Sequence, residues 1–558
     1  MSSSSAPIVT RMGLVAAGLL LFIVVFVCSI VSMSKMISFT NRPEPFATPS
    51  RNLPTPSCAQ PGVEQRRRTA YYKREEAALR EYEIPVQCHV NNGDEDLYAA
   101  THIGSFSKGL QHDALGQVTP ASYASFLNAV RTGVPADFEA IIMGGGGAKL
   151  TSPQAGLAFA LEGFDPSAGY QPPAPALASA WLAGELVENY WMALARDVNF
   201  DQYGLEPITQ AAITEIGTLS DWRGPVPSAS TLFRGTAPGV NVGPYLSQFF
   251  YETANFGANA IDPKIQSYTA NADYMTTWAE YLNVQNGFPP AFPQTLDPGP
   301  KRFMINGRDL SRWVHIDVLF QAYFCATLSL MGMGAPLKPT IPYATDSANQ
   351  KGFATFGPPH IAHSVIDVSE AALRAVWFQK WIVHRKLRPE EAAARVDRHK
   401  NGLAVYPLHA DVVGSQAVAN VFAKFGSYLL PQAFAEGCPT HPSYGAGHAT
   451  VAGACTTMVK FWFDESFVLP NPVAPSADGS TVNPIGDVLT VGGELNKLAT
   501  NVAYGRNIAG VHWRSDAEAS LKLGEQMAVA FLREQKALYN EVLPPWTATG
   551  FDGTLLVV

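Results

Sequence analysis

Three short segments carry residue types that together can hold and transform an oxyanion. The first runs from Lys380 through WIVHRKL to Arg388 and Pro389. Asp367 and Glu370 have capping-box spacing, which predicts a helix starting there and running through Lys380. Pro389 disfavours helical geometry at Arg388 and predicts the end of that helix. Eight helical positions turn by about 80° and rise about 12 Å, so two long cationic side chains can still converge on one anion. A lysine and an arginine near a helix end are equally what a solvated, dipole-matched terminus presents.

The second segment, Cys438 to Thr450, reads CPTHPSYGAGHAT. A glycine-bearing turn feeding a helix leaves free backbone N–H groups and the positive dipole end aimed at one spot. His448 stands at that terminus as an acid or base; the plainer alternative is an ordinary turn with a hydrogen-bonded histidine. The third segment, RNIAGVHWRSD, spans Arg506 to Asp516. Ser515 and Glu518 have capping-box spacing, which puts His512 at or just before a helix start. Asp516 can then orient its ring; an Arg–Asp ion pair beside an incidental histidine is the competing reading. Taken together, the segments supply two arginines, a lysine, a helix N-terminus and two histidines. Such a set suits a tetrahedral or trigonal-bipyramidal oxyanion, with cations on equatorial oxygens and one histidine on the axis.

Positioning these groups falls to helices. Apolar residues recur at three- and four-residue intervals in ALASAWLAGELVENYWMALARDV, LSRWVHIDVLFQAYFCATLSLMG, SEAALRAVWFQKWIVHRK, HATVAGACTTMVKFWFD and DAEASLKLGEQMAVAFLREQKAL. Strand-like alternation is scarce, so the expected fold is all-α, helical bundles joined by long loops. Ala449, Ala452, Gly453 and Ala454 are small enough for close helix contacts. Hydrophobic residues are 47% and charged residues 15% of the 558, which excludes disorder or coiled coil for most of the chain. A net charge of −8 argues against a nucleic-acid binder, so any bound anion must be gripped by a local cation cluster. The six cysteines form no zinc-like spacing. Cys325 and Cys455 read as buried thiols, and Cys58 and Cys88 as a pair that an oxidising compartment would permit.

The body, 93–558, holds the candidate site within 370–520. Before it, residues 36–92 read as a Ser/Pro/Thr-rich linker followed by a charged surface helix, RRRTAYYKREEAALREYE. Residues 1–35 read as a membrane anchor or signal segment, because Met12–Met33 is almost unbroken apolar and long enough to cross a bilayer. That expectation makes the protein membrane-anchored or secreted.

Over roughly residue 95 to the C-terminus the chain resembles the vanadium-dependent haloperoxidases, most closely the algal bromoperoxidases. NNGDEDLY, FSKGLQHD, LFRGTAPGVNVGPYLSQ, LLPQAFAEG, HPSYGAGHATVAGAC, ELNKLATNVAYGRNIAGVHWRSD and LGEQ carry the resemblance. It implies two four-helix bundles around the oxyanion site, a type shared with acid phosphatases. It also implies that His512 is the axial ligand of vanadate, with Lys380, Arg388, Arg506 and the Gly447 backbone amide on the oxygens. His448 is implied as the acid–base residue beside the apical oxygen, which hydrogen peroxide would displace under polarisation by Lys380. Halide attack would then give hypohalous acid, which halogenates organic substrates. His441, seven residues before His448, matches the bromoperoxidase position that shapes the halide environment. Trp377 is implied to line the same pocket, and Asp317 to pair with a site arginine.

One departure stands out. The family has Ser-Gly-His where this chain has Ala446-Gly447-His448. The missing hydroxyl removes a hydrogen bond to a charged acceptor, typically worth about 1.5–3 kcal/mol, and Ser443, three residues away, is not expected to replace it. Red-algal relatives carry a structural calcium; the corresponding stretch, PYATDSANQ, is shorter and offers only Asp346 and Asn349 as side-chain oxygen ligands. Large oligomers among the relatives imply at least a dimer here. The preferred reading is a haloperoxidase oxidising bromide or iodide with peroxide. An acid-phosphatase-type hydrolase, with His512 attacking phosphorus and His448 protonating the leaving group, is the first alternative. A non-catalytic membrane-anchored homologue, motivated by Ala446 and the apolar run, is the second.

Overall fold

The computed structural model describes residues 62–163, 165–345 and 347–558. Met12–Met33, Cys58 and Asp346 lie outside the described residues. Helix α1 (Val63–Glu83) buries none of its residues, and its arginines reach acids one turn away, Arg68 to Glu64 at 3.2 Å and Arg80 to Glu76 at 3.2 Å. It is the surface helix that its charge pattern predicts. Helix α2 (Ala180–Leu194) starts at Ser179, whose Oγ accepts from Leu182 N at 3.1 Å, and is buried almost all round.

Helix α3 (Gly307–Ile316) meets α4 (Gln321–Gly332) at a bend of 98°. Helices α5 (Pro358–Phe378), α6 (Pro389–Lys400), α7 (Gly447–Trp462), α8 (Val491–Ile508) and α9 (Arg514–Lys536) complete the set that matters for the site. Among the described residues, strands are confined to three antiparallel pairs, Ala254–Phe256 with Asn259–Ile261, Val473–Pro475 with Val482–Pro484, and Thr547–Thr549 with Leu555–Val557. No single described helix is long and apolar enough to cross a membrane.

Helix α7 is the axis of the bundle, with α5, α8 and α9 packed around it. Every residue of α7 except His448 is buried. A β-carbon on Gly524 would lie 2.1 Å from Thr450 O, and one on Gly453 would lie 2.2 Å from Leu521 O. Helices α7 and α9 therefore touch backbone to backbone, the close contact that the small residues of α7 allow. Cys455 is buried as expected, Cys325 is only half-buried, and Cys88 is exposed.

The start of α5 differs from the capping-box reading. Two prolines, Pro358 and Pro359, open the helix at its first positions, where a missing N–H costs nothing. Asp367 and Glu370 sit inside it and pair along its flank, with His363 at 3.1 Å and Arg374 at 3.1 Å. Their spacing is that of a capping box, yet the same spacing also serves one-turn ion pairs.

Candidate active site

Helix α5 continues into a wider π-helical turn, Gln379–His384, that brings Lys380 into the interior. Arg385 ends the turn in the left-handed region, φ 40°, and Glu95 holds its guanidinium at 2.8 and 2.6 Å. Arg388 then caps α6, its N–H donating to Glu391 Oε2 at 2.7 Å. Lys380 and Arg388 thus occupy separate elements on either side of the left-handed turn at Arg385, rather than one helix ending at Pro389. Pro389 opens α6 instead.

They converge nonetheless. Lys380 Nζ donates to Pro442 O at 2.8 Å and Ser443 O at 3.1 Å. Arg388 donates from Nε to His441 O (2.9 Å), from one terminal nitrogen to His441 Nδ1 (2.9 Å), and from the other to Val511 O (2.7 Å) and His512 Nε2 (3.0 Å). A single guanidinium ties together all three segments singled out in the sequence.

His512 lies one residue before Trp513, which caps α9. Its Nδ1 is 2.8 Å from Asp516 Oδ2, and the same oxygen accepts from Trp513 N at 3.3 Å. Asp516, not Glu518, is the acid that caps this helix. Helix α2 fixes the turn from behind: Asn189 Nδ2 donates to His512 O at 3.2 Å, Glu188 accepts from Arg514 Nε at 3.0 Å, and Glu185 accepts from Ser515 N at 2.9 Å.

Because a guanidinium only donates, His512 Nε2 must offer its lone pair and Nδ1 must carry the hydrogen given to Asp516. The same logic makes His441 Nδ1 an acceptor. Burial, reinforced by the surrounding cations, holds both imidazoles well below their ordinary range, so both are neutral. Ser443 Oγ donates to Asp516 and is thereby committed away from any bound anion.

Arg506 comes from the last turn of α8, donates to Val314 O at 2.9 Å, and lies over the Phe434 ring at 5.3 Å. Its Nε is buried without a partner. Gly447 and His448 open α7, and Ala446 before them provides no side-chain cap. His448 Nε2 lies 2.9 Å from Asp317 Oδ1. Asp317 therefore holds the second histidine by hydrogen bond, and reaches Arg506 only through its charge. The bend between α3 and α4 puts Asp317 there, a contact across 131 residues that local spacing does not encode.

A cavity of about 270 Å³ has Trp377, His441, Gly447, His448, Arg506 and His512 in its wall, with Arg388 bonded to His441 and His512 and Lys380 to the 442–443 carbonyls next to it. Trp377 is anchored by its indole N–H on Thr151 O at 3.1 Å, with its ring 4.9 Å from that of His441. The wall also carries His315, Phe434 and Glu436, which motif reading did not single out as site residues. Their one visible signal is position, Glu436 in LLPQAFAEG and His315 two residues before Asp317.

Charge decides what the cavity accepts. Burial lowers Lys380 well below the ordinary lysine range and brings Arg506 down to about 10, each opposed by neighbouring carboxylates. Lys380 and Arg388 are fully buried and make their hydrogen bonds only to carbonyls and an imidazole pair. The effective cost of burying an unpaired ion is several kcal/mol, and the orphaned Arg506 Nε adds to it. An oxyanion with several acceptors meets all of these needs at once. Vanadate fits this donor set: three cations, uncapped helix-terminal amides, and a neutral imidazole nitrogen, His512 Nε2, that carries a lone pair, here accepting from Arg388 at 3.0 Å. A structural cation finds no such support: among the described residues, no group of three or more His, Cys, Asp or Glu side chains could hold a metal.

Comparison with known proteins agrees with this chemistry. Residues 367–541 match the family model of the VCPO second helical-bundle domain. The chain is 36% identical to the vanadium-dependent bromoperoxidase of Ascophyllum nodosum over 85% of its own length and 89% of the relative's. It is 33% identical to that of Corallina pilulifera, covering 84% of this chain and 93% of the relative. Among solved structures, it superposes with a TM-score of 0.83 and 28% identity on the second vanadate-dependent bromoperoxidase of Ascophyllum nodosum, a homohexamer, covering 92% of this chain and 94% of the other.

Proposed function

The chain belongs to the vanadium-dependent haloperoxidase family, and on that premise we propose that it oxidises bromide or iodide with hydrogen peroxide to hypohalous acid, which halogenates small organic substrates. The observation that carries the reading is one cavity lined by Arg506, Gly447, His441, His448 and His512, with buried Arg388 bonded to both His441 and His512 and buried Lys380 to the adjoining Pro442 and Ser443 carbonyls. Vanadate bound there supplies an electrophilic centre at which peroxide is activated for two-electron oxidation of a halide.

In this reading His512 Nε2 would bind the vanadium, and Lys380, Arg388, Arg506 and the Gly447 amide would hold the oxygens. Asp516 keeps the imidazole in the tautomer with its hydrogen on Nδ1 and its lone pair on Nε2. The α7 terminus contributes because no side chain caps it, which leaves its first amides to an anion. His448, held by Asp317, gives and takes the proton at the cavity face of its ring. His441 presents its Nε2–H beside the Trp377 ring, a single donor against an apolar wall, which suits a large, weakly hydrated halide.

The phosphohydrolase alternative uses the same cations but is not favoured by the bromoperoxidase relatives over most of the chain. The homohexameric neighbour supports a homo-oligomer, and the apolar composition of Met12–Met33 supports an N-terminal anchor or signal segment. The test is direct. Protein incubated with vanadate is assayed with peroxide and each halide for halogenation of a phenol, and in parallel for phosphate-ester hydrolysis. Vanadate-dependent oxidation of bromide and iodide is expected; ester hydrolysis without halide oxidation would overturn the reading.

A further inference from the structure

The cavity contains a second histidine–carboxylate pair that the proposed vanadate site leaves unused. His315 Nε2 lies 2.6 Å from Glu436 Oε1, the ring stacks on Phe434 at 3.7 Å, and the Tyr268 hydroxyl meets its Nδ1. Both residues line the same cavity as His448 and His512. The Glu436 side chain is the most open of the four at 49% exposed, against 21% for His315, 17% for His448 and 2% for Asp317. The charged groups around it are Arg312, whose guanidinium lies 5.0 Å over the Tyr268 ring, Lys108, donating to Glu436 O at 2.6 Å, Arg506 beyond Phe434, and Asp317 two residues along. The hydrogen bond from His315 holds Glu436 below the usual carboxylate range, so the carboxylate is ionised at neutral pH.

Halide oxidation by peroxide consumes a proton. Two electrons pass from the halide to the O–O bond, one oxygen leaves on the halogen as hypohalous acid, the other leaves as water, and one proton is taken up. The inner pair, His448 with the buried Asp317, must be resupplied from bulk solvent every turnover. We propose that Glu436 and His315 are the proton entrance of this cavity. Glu436, open to solvent and cavity alike, takes a proton from bulk water on its carboxylate and hands it to cavity water on the way to His448, which returns the carboxylate to its ionised form for the next proton. The Nε2–H of His315 stays on its ring and holds the carboxylate in place through the cycle. The inference rests on the haloperoxidase reading above.

The experiment uses the full chain loaded with vanadate, as wild type, Glu436→Gln, Glu436→Asp and His315→Gln. Bromide oxidation is followed at saturating bromide and peroxide from slightly acidic to alkaline pH, in weak buffer, with and without added imidazole. We expect kcat of the Gln variants to fall by about tenfold or more on the alkaline side, with vanadium content and bromide KM unchanged. Imidazole, as a small proton carrier, restores the variants in a dose-dependent way and leaves the wild type unmoved, and Glu436→Asp retains part of the rate. Variants with wild-type kcat, or a loss that imidazole does not restore, would overturn the inference. If the Gln variants fail to load vanadate, Glu436→Asp carries the same test. Wild-type turnover in the same assay reports separately on the parent reading: an inactive wild type removes both, whereas an active wild type matched by its variants removes only this one.

Discussion

Asp516 Oδ2 lies 2.8 Å from His512 Nδ1 and also accepts from the Ser443 hydroxyl, so one carboxylate oxygen sets both the imidazole tautomer and the turn that precedes α7. Asp516→Asn keeps the shape but presents either an amide N–H or a weaker acceptor to the ring. Vanadate affinity is expected to fall about 10- to 100-fold, the usual cost of losing an outer partner of a ligating histidine. Titration of the apo-protein with vanadate, read by recovered bromide oxidation, measures it. An unchanged affinity would remove Asp516 from the account.

Ala446 leaves the cavity without a hydroxyl, since no Ser, Thr or Tyr lines its wall and Ser443 is committed to Asp516. Ala446→Ser adds one oxygen at the helix N-cap. We predict about tenfold tighter vanadate binding, the equivalent of roughly 1.4 kcal/mol for a charge-assisted bond. A serine that instead caps α7, occupying an amide meant for the anion, would leave affinity flat or lower it, and the same titration separates the two outcomes.

Burial pushes the Glu185 carboxyl up to about 7, whereas an unfolded chain releases that proton near 4.3. Between these values the native state holds the extra proton, so this group's contribution to stability falls as pH rises. Glu185→Gln removes the dependence. The melting temperature of the variant minus that of wild type is expected to become more positive from about pH 5 to pH 8, with roughly 3 kcal/mol as the upper bound. The loss of one acceptor for Ser515 shifts that difference by a constant and leaves its slope intact. A pH-independent difference would contradict the raised carboxyl.

Gly524→Ala tests the axis of the bundle. Its β-carbon would stand 2.1 Å from Thr450 O, against backbone that cannot rotate away. Destabilisation of about 1–3 kcal/mol or more is expected from overpacking, read as a lower urea midpoint. A neutral substitution would mean that α7 and α9 do not meet as closely as described.

The residues proposed to hold vanadate stand out in the sequence because each segment carries a local signal: the glycine turn before His448, the histidine ahead of a capped helix, the cations before a proline. Their convergence stands out less. Arg385 takes a left-handed conformation with no glycine to announce it, so the break between Lys380 and Arg388 reads as continuous helix. Asp367 and Glu370 mimic a cap because helix starts and one-turn ion pairs share the same spacing. The pairs Asp317–His448 and His315–Glu436 join elements more than a hundred residues apart, and only tertiary packing brings them together. The helical class, by contrast, rests on periodicity repeated over many turns and agrees with the structure throughout α2 to α9.

The central claim is that His512 completes a vanadate site that drives halide oxidation. Its most direct test compares wild type and His512→Ala after vanadate incubation and removal of excess, with vanadium per chain and bromide oxidation measured on the same samples and folding checked by circular dichroism. The account predicts bound vanadium and peroxide-dependent bromide oxidation in wild type, with both lost in a variant that stays helical, because Lys380, Arg388 and Arg506 supply charge but no coordination bond. Near-normal vanadium content and turnover in His512→Ala would contradict it.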